Sequence, residues 1–452
     1  MKPRPVWALY VLIVGLALHN LVMSLLWRAG VRGSALTVVA AWKDVLLVAA
    51  LALVIWLRRG LPSKSTPQFK ATPQFKATPR FKATLQFKAT PCDWLALVFG
   101  ALVVVYGLLP QSWLGGGATH RGVLYAARHD LLPVGAYFLG RGLDLTEDER
   151  ARICKLVVGV AAFVAALGLL DVYAVSLSWW RGSAGWFRDQ LGLVYRGLSG
   201  LPENFVYNSG NNVIFRRLTS TFLSPLATSY LLVTALFFVP LRKRWGWPVA
   251  LLIFVGLLFT HTRSALLALV VGLLVLAVVR RSLRPALYAV GVVVVTLVFV
   301  QGYDHIAPRA HFTPSELVVQ KQIAQAHPST SNDPTSVNES STSEHLASLR
   351  DGARTVVRHP WGYGLGNSGV TAARTHVDVK AGESTYTELG VEVGVLGALV
   401  FAAWSLTLLR ATLRRPWLGA ALAAVLVLGL QTDVIGVPWV AVTVWALAGD
   451  SV

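Results

Sequence analysis

The chain has 452 residues, of which 54% are hydrophobic and only 14% charged. Soluble domains carry about 25% charged residues, so a soluble globular fold is excluded and an integral membrane protein is expected. The formal charge of +19 would suggest nucleic acid in a soluble protein. Here most basic residues lie in short loops between apolar runs, where membrane topology and anionic lipid account for them, and nucleic acid is not an expected partner.

Apolar runs of about 20 residues recur, the length a helix needs to cross about 30 Å of hydrocarbon. A barrel would show alternating segments of about ten residues instead. The expected fold class is therefore all-α: a polytopic transmembrane bundle of about twelve helices with one large, partly helical loop. In chain order we expect the first two membrane helices in 1–57, a basic cytoplasmic loop in 58–93, further membrane helices in 94–303, a large periplasmic loop in 304–384 and C-terminal membrane helices in 385–452.

Met1-Lys2-Pro3-Arg4-Pro5 precedes an apolar run over 6–27 with no small-residue cleavage site. It reads as a membrane helix rather than a removed signal peptide. A second helix is expected over 35–57, with Lys43 and Asp44 inside it. Neighbouring residues cannot share one helix face, so each needs its own partner in the bundle. The unit Thr66-Pro67-Gln68-Phe69-Lys70-Ala71 then repeats from Thr72, from Thr78 and, decayed, from Thr84. Proline in most units opposes both helix and central strand, so 58–90 reads as a basic cytoplasmic loop. The two cysteines, Cys92 and Cys154, lack metal-ligand spacing and read as inert.

Further helices are expected at 94–109, 121–141 and 152–174. The one at 121–141 carries Arg121, Arg128, His129 and Asp130; this is too polar to face lipid, so it should line an interior cavity. Thr146 is placed to cap the helix that follows it. The 176–217 connection contains Trp179, Trp180 and Trp186, residues suited to a membrane interface. Helices are then expected at 220–240, 247–261, 263–279, 285–302, 386–409, 416–433 and 434–449.

With both termini in the cytoplasm, nearly all Lys/Arg clusters fall on the cytoplasmic side, Arg28 and Arg32 excepted. The opposite side receives the 176–217 connection, the turn at His261-Thr262-Arg263 and the 304–384 loop, yet these carry Arg216, Arg217, Arg263, Arg350, Arg354 and Arg358. Arginines that defy the positive-inside bias call for an anion, because guanidinium forks match phosphate oxygens. That side of a membrane has no ATP, so a phosphate-bearing substrate must carry its own activation, as a lipid-linked diphosphate sugar does. No paired carboxylates in the outer loops call for a metal, and no cofactor is expected. Arg350, Arg354 and Arg358 recur every four residues on one face of a helix. The series Gly362, Gly364, Gly366 lacks the strand and lysine of a nucleotide loop and reads as a tight turn. Ser329–Ser343 reads as a polar linker.

Three pieces resemble the O-antigen ligase and polymerase superfamily, bacterial membrane glycosyltransferases of GT-C-like architecture. They are Arg217-Leu218-Thr219-Ser220-Thr221-Phe222; Arg263-Ser264-Ala265-Leu266-Leu267; and His359-Pro360-Trp361-Gly362-Tyr363-Gly364-Leu365-Gly366, followed by Glu392-Val393-Gly394-Val395-Leu396-Gly397. The resemblance covers 214–409. It implies a donor glycan on undecaprenyl diphosphate in the inner membrane, transferred at the periplasmic face by a metal-independent, inverting reaction. The acceptor is a hydroxyl of lipid A–core or of a second lipid-linked glycan, the latter making a polymerase. Arg217 and Arg263 would act on the diphosphate, helped by Arg216, Arg350 or Arg354. Family ligases carry a histidine eleven residues before the glycine matching Gly394; here that residue is Glu383. Glu383 is thus the candidate base and His376 its rival, with His359 and Arg358 as possible acceptor-side residues. A transporter of anionic glycolipids would instead show paired broken helices in two similar halves.

Overall fold

The computed structural model describes residues 5–59, 89–208, 213–326 and 340–452. The hexapeptide repeats and the 329–339 part of the polar linker lie outside the described residues.

The protein is a helical membrane protein. Its first helices are α1 (Val6–Arg28), α2 (Ser34–Ala40), α3 (Trp42–Arg59), α4 (Pro91–Leu108), α5 (His120–Leu143) and α6 (Glu147–Ala174). Two short helices follow, α7 (Leu177–Arg181) and α8 (Gly185–Leu191), then α9 (Pro225–Leu236), α10 (Gly246–Phe259), α11 (Arg263–Arg280) and α12 (Leu283–Ile306). The long loop contains α13 (Pro314–Ala326), α14 (Ser340–Arg358) and α15 (Gly369–Arg374). The chain continues through α16 (Thr385–Glu392), α17 (Gly394–Thr412), α18 (Pro416–Leu428) and α19 (Pro438–Gly449). Among the described residues, seven helical stretches are long and apolar enough to cross a membrane: Val6–Arg28, Ser34–Leu57, Pro91–Leu108, Glu147–Ala174, Arg263–Arg280, Leu283–Ile306 and Gly394–Thr412. The other expected spans fall on the polar α5 and on the shorter apolar helices α9, α10, α18 and α19.

Local chemistry sets the helix ends. Thr90 accepts from the Asp93 amide while Asp93 accepts from the Thr90 amide, a capping box that starts α4. Thr146 and Glu149 do the same for α6. Two expected helices are broken. The 35–57 helix is interrupted at Ala41, where Lys43 Nζ donates to the Ala40 carbonyl at 3.2 Å. The 386–409 helix breaks at Val393–Gly394, because Gly394 adopts φ +74. A side chain there would also meet the Pro360 carbonyl, so only glycine lets the 360–363 turn close on the helix break.

The core is one apolar cluster joining α1, α4–α6, α9–α11 and α16–α19. Aromatic rings stitch its centre: Trp404 sits edge-on to Tyr137 at 5.5 Å and to Phe401 at 5.9 Å. The end of the bundle holding the chain termini is closed by ion pairs. Asp450 takes Arg150 at 2.7 Å and Arg415 at 3.2 Å, and Asp93 takes Arg141 at 3.3 Å.

The opposite end carries a second core that the expected interfacial role of the tryptophans did not anticipate. Trp180, Trp186, Phe187 and Phe205 pack on Met23 and Trp27 of α1. Trp179 is the exposed one of the three tryptophans, and it stacks under Arg28 at 4.1 Å. Three short antiparallel strands qualify the all-α expectation: β1 (Val206–Asn208), β2 (Val213–Arg216) and β3 (Arg309–His311). Their order is β1-β2-β3, with Val206 opposite Arg216 and Phe215 opposite Arg309. This small sheet ties the 176–217 connection to the start of the long loop.

Candidate functional site

Strand β2 ends at Arg216, Arg217 follows it, and the surroundings of these two arginines singled out from sequence differ. Arg216 is 2% exposed. It donates to Asp171 at 3.1 Å and to the Val175 carbonyl at 3.4 Å, and its own carbonyl accepts from the Tyr303 hydroxyl. Burial pulls its guanidinium below the usual arginine range, against the opposing pull of Asp171. Arg216 therefore ties the sheet to α6 from inside, and its enclosure gives a diphosphate no access.

Arg217 points the other way. Its Nε donates to the Thr260 carbonyl at 2.9 Å, and its Nη2 to the His261 carbonyl at 3.2 Å. These residues form the turn that leads directly into Arg263, the first residue of α11. His261 takes a left-handed conformation, φ +53. Its ring is held between Tyr207 and Tyr303, each at 4.6 Å, and lies within the field of both Arg217 and Arg263. Two arginines far apart in sequence thus meet around one rigid turn, beside helix amides that have no intrahelical acceptor. Such helix starts favour anions.

Glu383 also has φ +70, an uncommon conformation for a side-chain-bearing residue that recurs at functional sites. Its Oε2 lies 2.5 Å from Nδ1 of His345, which sits on α14. Both side chains are partly open, 41% and 47% exposed. His345 lies 38 residues earlier in sequence, so no local spacing signals the pairing. Helix α14 meets α16 through Gly352 at Thr387 and Val356 at Gly390. Arg350, Arg354 and Arg358 are exposed, and Arg354 is 3.3 Å from Asp351. His359 Nε2 donates to the Leu114 carbonyl at 2.9 Å, and the ring stacks on Tyr363 at 4.1 Å. It fastens the loop to the segment before α5. His376 is exposed with φ +57. The glycine-rich stretch forms the expected tight turn. The Gly366 amide and the Ser368 hydroxyl both donate to Glu392, at 3.0 and 2.8 Å.

Sequence reasoning missed an acid–imidazole network beneath Glu383. His129 lies 2.7 Å from both Asp130 and Asp433. Thr385, two residues after Glu383, donates to Asp433 at 3.4 Å and accepts from the Val434 amide at 2.9 Å. Asp130, Glu388 and Glu392 are buried at 1%, 8% and 4% exposure. The available signal was acidic residues inside apolar stretches, which mark interior positions. Only His129 and Asp130 were singled out on that ground. The network roots the turn at Glu383 in α5 and in the connection between α18 and α19.

Residues 248–402 match the family model described as O-antigen ligase. That segment is similar to the family. It includes Arg263, the glycine-rich turn and Glu383, while Arg217 lies upstream of it. No curated protein matches the chain. The likeness points to an O-antigen ligase-type function.

Proposed function

We propose that the protein transfers a glycan from undecaprenyl diphosphate to an acceptor hydroxyl at the outer face of the bacterial inner membrane. The observation that carries this reading is the convergence of Arg217 and Arg263 on the His261 turn, in a chain whose 248–402 segment is O-antigen ligase-like. Their guanidiniums stabilise the diphosphate as the bond between the anomeric carbon and its phosphate oxygen breaks, which is where negative charge develops.

Glu383 and His345 act together on the acceptor. With the Glu383 carboxylate at Nδ1, His345 carries its proton on that nitrogen and its basic lone pair on Nε2. Nε2 takes the acceptor hydroxyl proton as the oxygen attacks the anomeric carbon. Undecaprenyl diphosphate leaves with both bonding electrons and the imidazolium is held by Glu383. His345 touches Glu383, the residue at the position where family ligases carry a histidine, which supports this reading. Direct displacement gives inversion at the anomeric carbon. No step needs a metal.

Purified enzyme supplied with the lipid-diphosphate glycan and either lipid A–core or a second lipid-linked glycan tests both halves of the proposal. Transfer to lipid A–core makes it a ligase, and chain growth on the lipid-linked glycan makes it a polymerase. Absence of transfer to both acceptors would refute the reading.

A further inference from the structure

A second group of cations lies apart from Arg217 and Arg263, where α3, α5 and α15 meet. Arg121, Tyr125 and Arg128 follow one another at helical spacing on α5. The Arg121 guanidinium is 5.2 Å from the centre of the Tyr125 ring, and its Nε donates to the Tyr125 hydroxyl at 2.8 Å. Arg374, the last residue of α15, is 5.1 Å from the same ring centre. Its Nε donates at 2.7 Å to the carbonyl of Leu191, the last residue of α8, which ties α15 to α8.

Arg128 donates to Asp44 at 2.7 Å, and the neighbouring Lys43 reaches His19 at 2.7 Å and the Ala40 carbonyl at 3.2 Å. Lys43 lies within electrostatic reach of Arg128 and Arg374, and Arg374 of Arg128 and Arg121. Burial, together with Arg128 and Arg121, pulls the Arg374 guanidinium below the usual range despite the opposing Tyr125. Among the described residues, the one carboxylate ion-paired to these four cations is Asp44. The three guanidiniums alone exceed Asp44 by two positive charges, with Lys43 beside them. Assembling like charges at partly buried positions is unfavourable unless an anion joins them.

The placement separates this group from the arginine pair without isolating it. On α1, His19 touches Lys43, while the adjacent Asn20 donates to the Phe222 carbonyl, in the segment that follows Arg217. On α5, Arg128 adjoins His129, the hub of the network that roots the Glu383 turn. The cation group thus adjoins the acid–imidazole network on α5.

We infer that Lys43, Arg121, Arg128 and Arg374 form a second anion site that binds the phosphate-bearing headgroup of a membrane-resident lipid other than the diphosphate donor. The guanidinium forks supply paired donors for phosphate oxygens, and the Tyr125 ring holds two of them in place. The inference rests on the proposed function only for the naming of the donor. Its test reads binding, which does not depend on transfer.

Four proteins are compared by ligand binding in neutral-lipid nanodiscs: wild type, Lys43→Gln/Arg374→Gln, the charge-preserving Lys43→Arg/Arg374→Lys, and Arg217→Ala. The probes are undecaprenyl diphosphate, diphosphorylated lipid A, its dephosphorylated form and phosphatidylglycerol. We expect Lys43→Gln/Arg374→Gln to weaken a phosphorylated probe at least tenfold and to leave undecaprenyl diphosphate unchanged. The charge-preserving variant keeps most of that binding, and Arg217→Ala shows the reverse selectivity. Loss for lipid A alone assigns the site to a phosphorylated glycolipid. Equal loss for phosphatidylglycerol assigns it to bulk anionic lipid. Unchanged binding of every probe overturns the inference, as does a selective loss of undecaprenyl diphosphate, which would make the group part of the donor site. Failed folding of the double glutamine variant, with the charge-preserving protein folded and binding no phosphorylated probe, overturns it as well.

Discussion

The two ends of the bundle use arginine in opposite ways. At the end with the chain termini, Arg150 and Arg415 converge on Asp450, Glu147 adds to them, and Arg141 meets Asp93. There arginine closes the structure. At the loop end, Arg217 spends its donors on the Thr260 and His261 carbonyls, while Arg121 and Arg374 lie against Tyr125. Carbonyls and rings orient a guanidinium without neutralising it. The loop end also has Arg216 with Asp171 and Arg181 with Glu316, so the contrast runs residue by residue. A buried arginine held by a carboxylate, as Arg216 is, builds the fold; Arg121 and Arg374 are instead oriented by a ring.

The sharpest test of that contrast is activity. Arg263→Ala and Arg217→Ala should each lower transfer by about a hundredfold or more, the scale seen when a group stabilising developing charge is removed. Membrane insertion should be unchanged. Full transfer by either variant would remove that arginine from the mechanism.

The paired acid and imidazole come next. Glu383→Gln and His345→Ala should each cost about a hundredfold or more in kcat. The double variant should be little worse than either single one, because the two residues act as a unit. Additive losses in transfer assays would separate them. His376→Ala should retain transfer; its loss would restore that residue as the base.

At the opposite end the expected loss is in stability. Asp450→Asn removes the shared acceptor of Arg150 and Arg415, and breaking a buried pair costs about 3 to 5 kcal/mol. Thermal unfolding should fall accordingly, with transfer per folded molecule intact. A catalytic loss at full stability would erase the distinction between the two ends.

The smallest effect concerns Glu316, which accepts from Arg181 at 2.6 Å. Burial opposes its ionisation, yet Arg181, Ser199 and the Thr313 amide together hold the carboxyl below its ordinary value of 4.5. A depressed native pKa stabilises the fold above the unfolded value and loses that contribution as pH falls through the native one. Acidification below about 4.5 should therefore lower the melting temperature of wild type more than that of Glu316→Gln, by a margin on the order of a few degrees. Equal acid sensitivity in the two proteins would show that the pair contributes nothing.

Much of the architecture was legible because each strong signal was local. Apolar runs marked the helices, and Thr146 marked the start of α6. The demand that Lys43 and Asp44 find separate partners was met by His19 and Arg128. The polar residues of α5 pointed to an interior lining; Asp130 is buried and His129 half-buried in the acid–imidazole network, whereas Arg121 and Arg128 are exposed. What stayed hidden was non-local. His345 and Glu383 meet across a segment whose length carries no register. The regular spacing of Arg350, Arg354 and Arg358 drew attention to α14, but to its exposed side; Gly352 and Val356 are what dock. Arg216 and Arg217 are neighbours in sequence, yet one is buried against Asp171 and the other, just past the end of β2, reaches the His261 turn.

The bond between His129 and Asp433 spans 304 residues, and this has a temporal side. Ribosomes add about 5 to 20 residues per second, so Asp433 is made on the order of 15 to 60 s after His129. During that interval α5 carries a histidine and an aspartate whose final partner does not yet exist. The turn at Glu383 is likewise synthesised before the connection that anchors Thr385. The site therefore matures late in the life of the nascent chain, long after most of its scaffold is in place. Any factor that shields a polar helix during synthesis would find in α5 a client with a known waiting time.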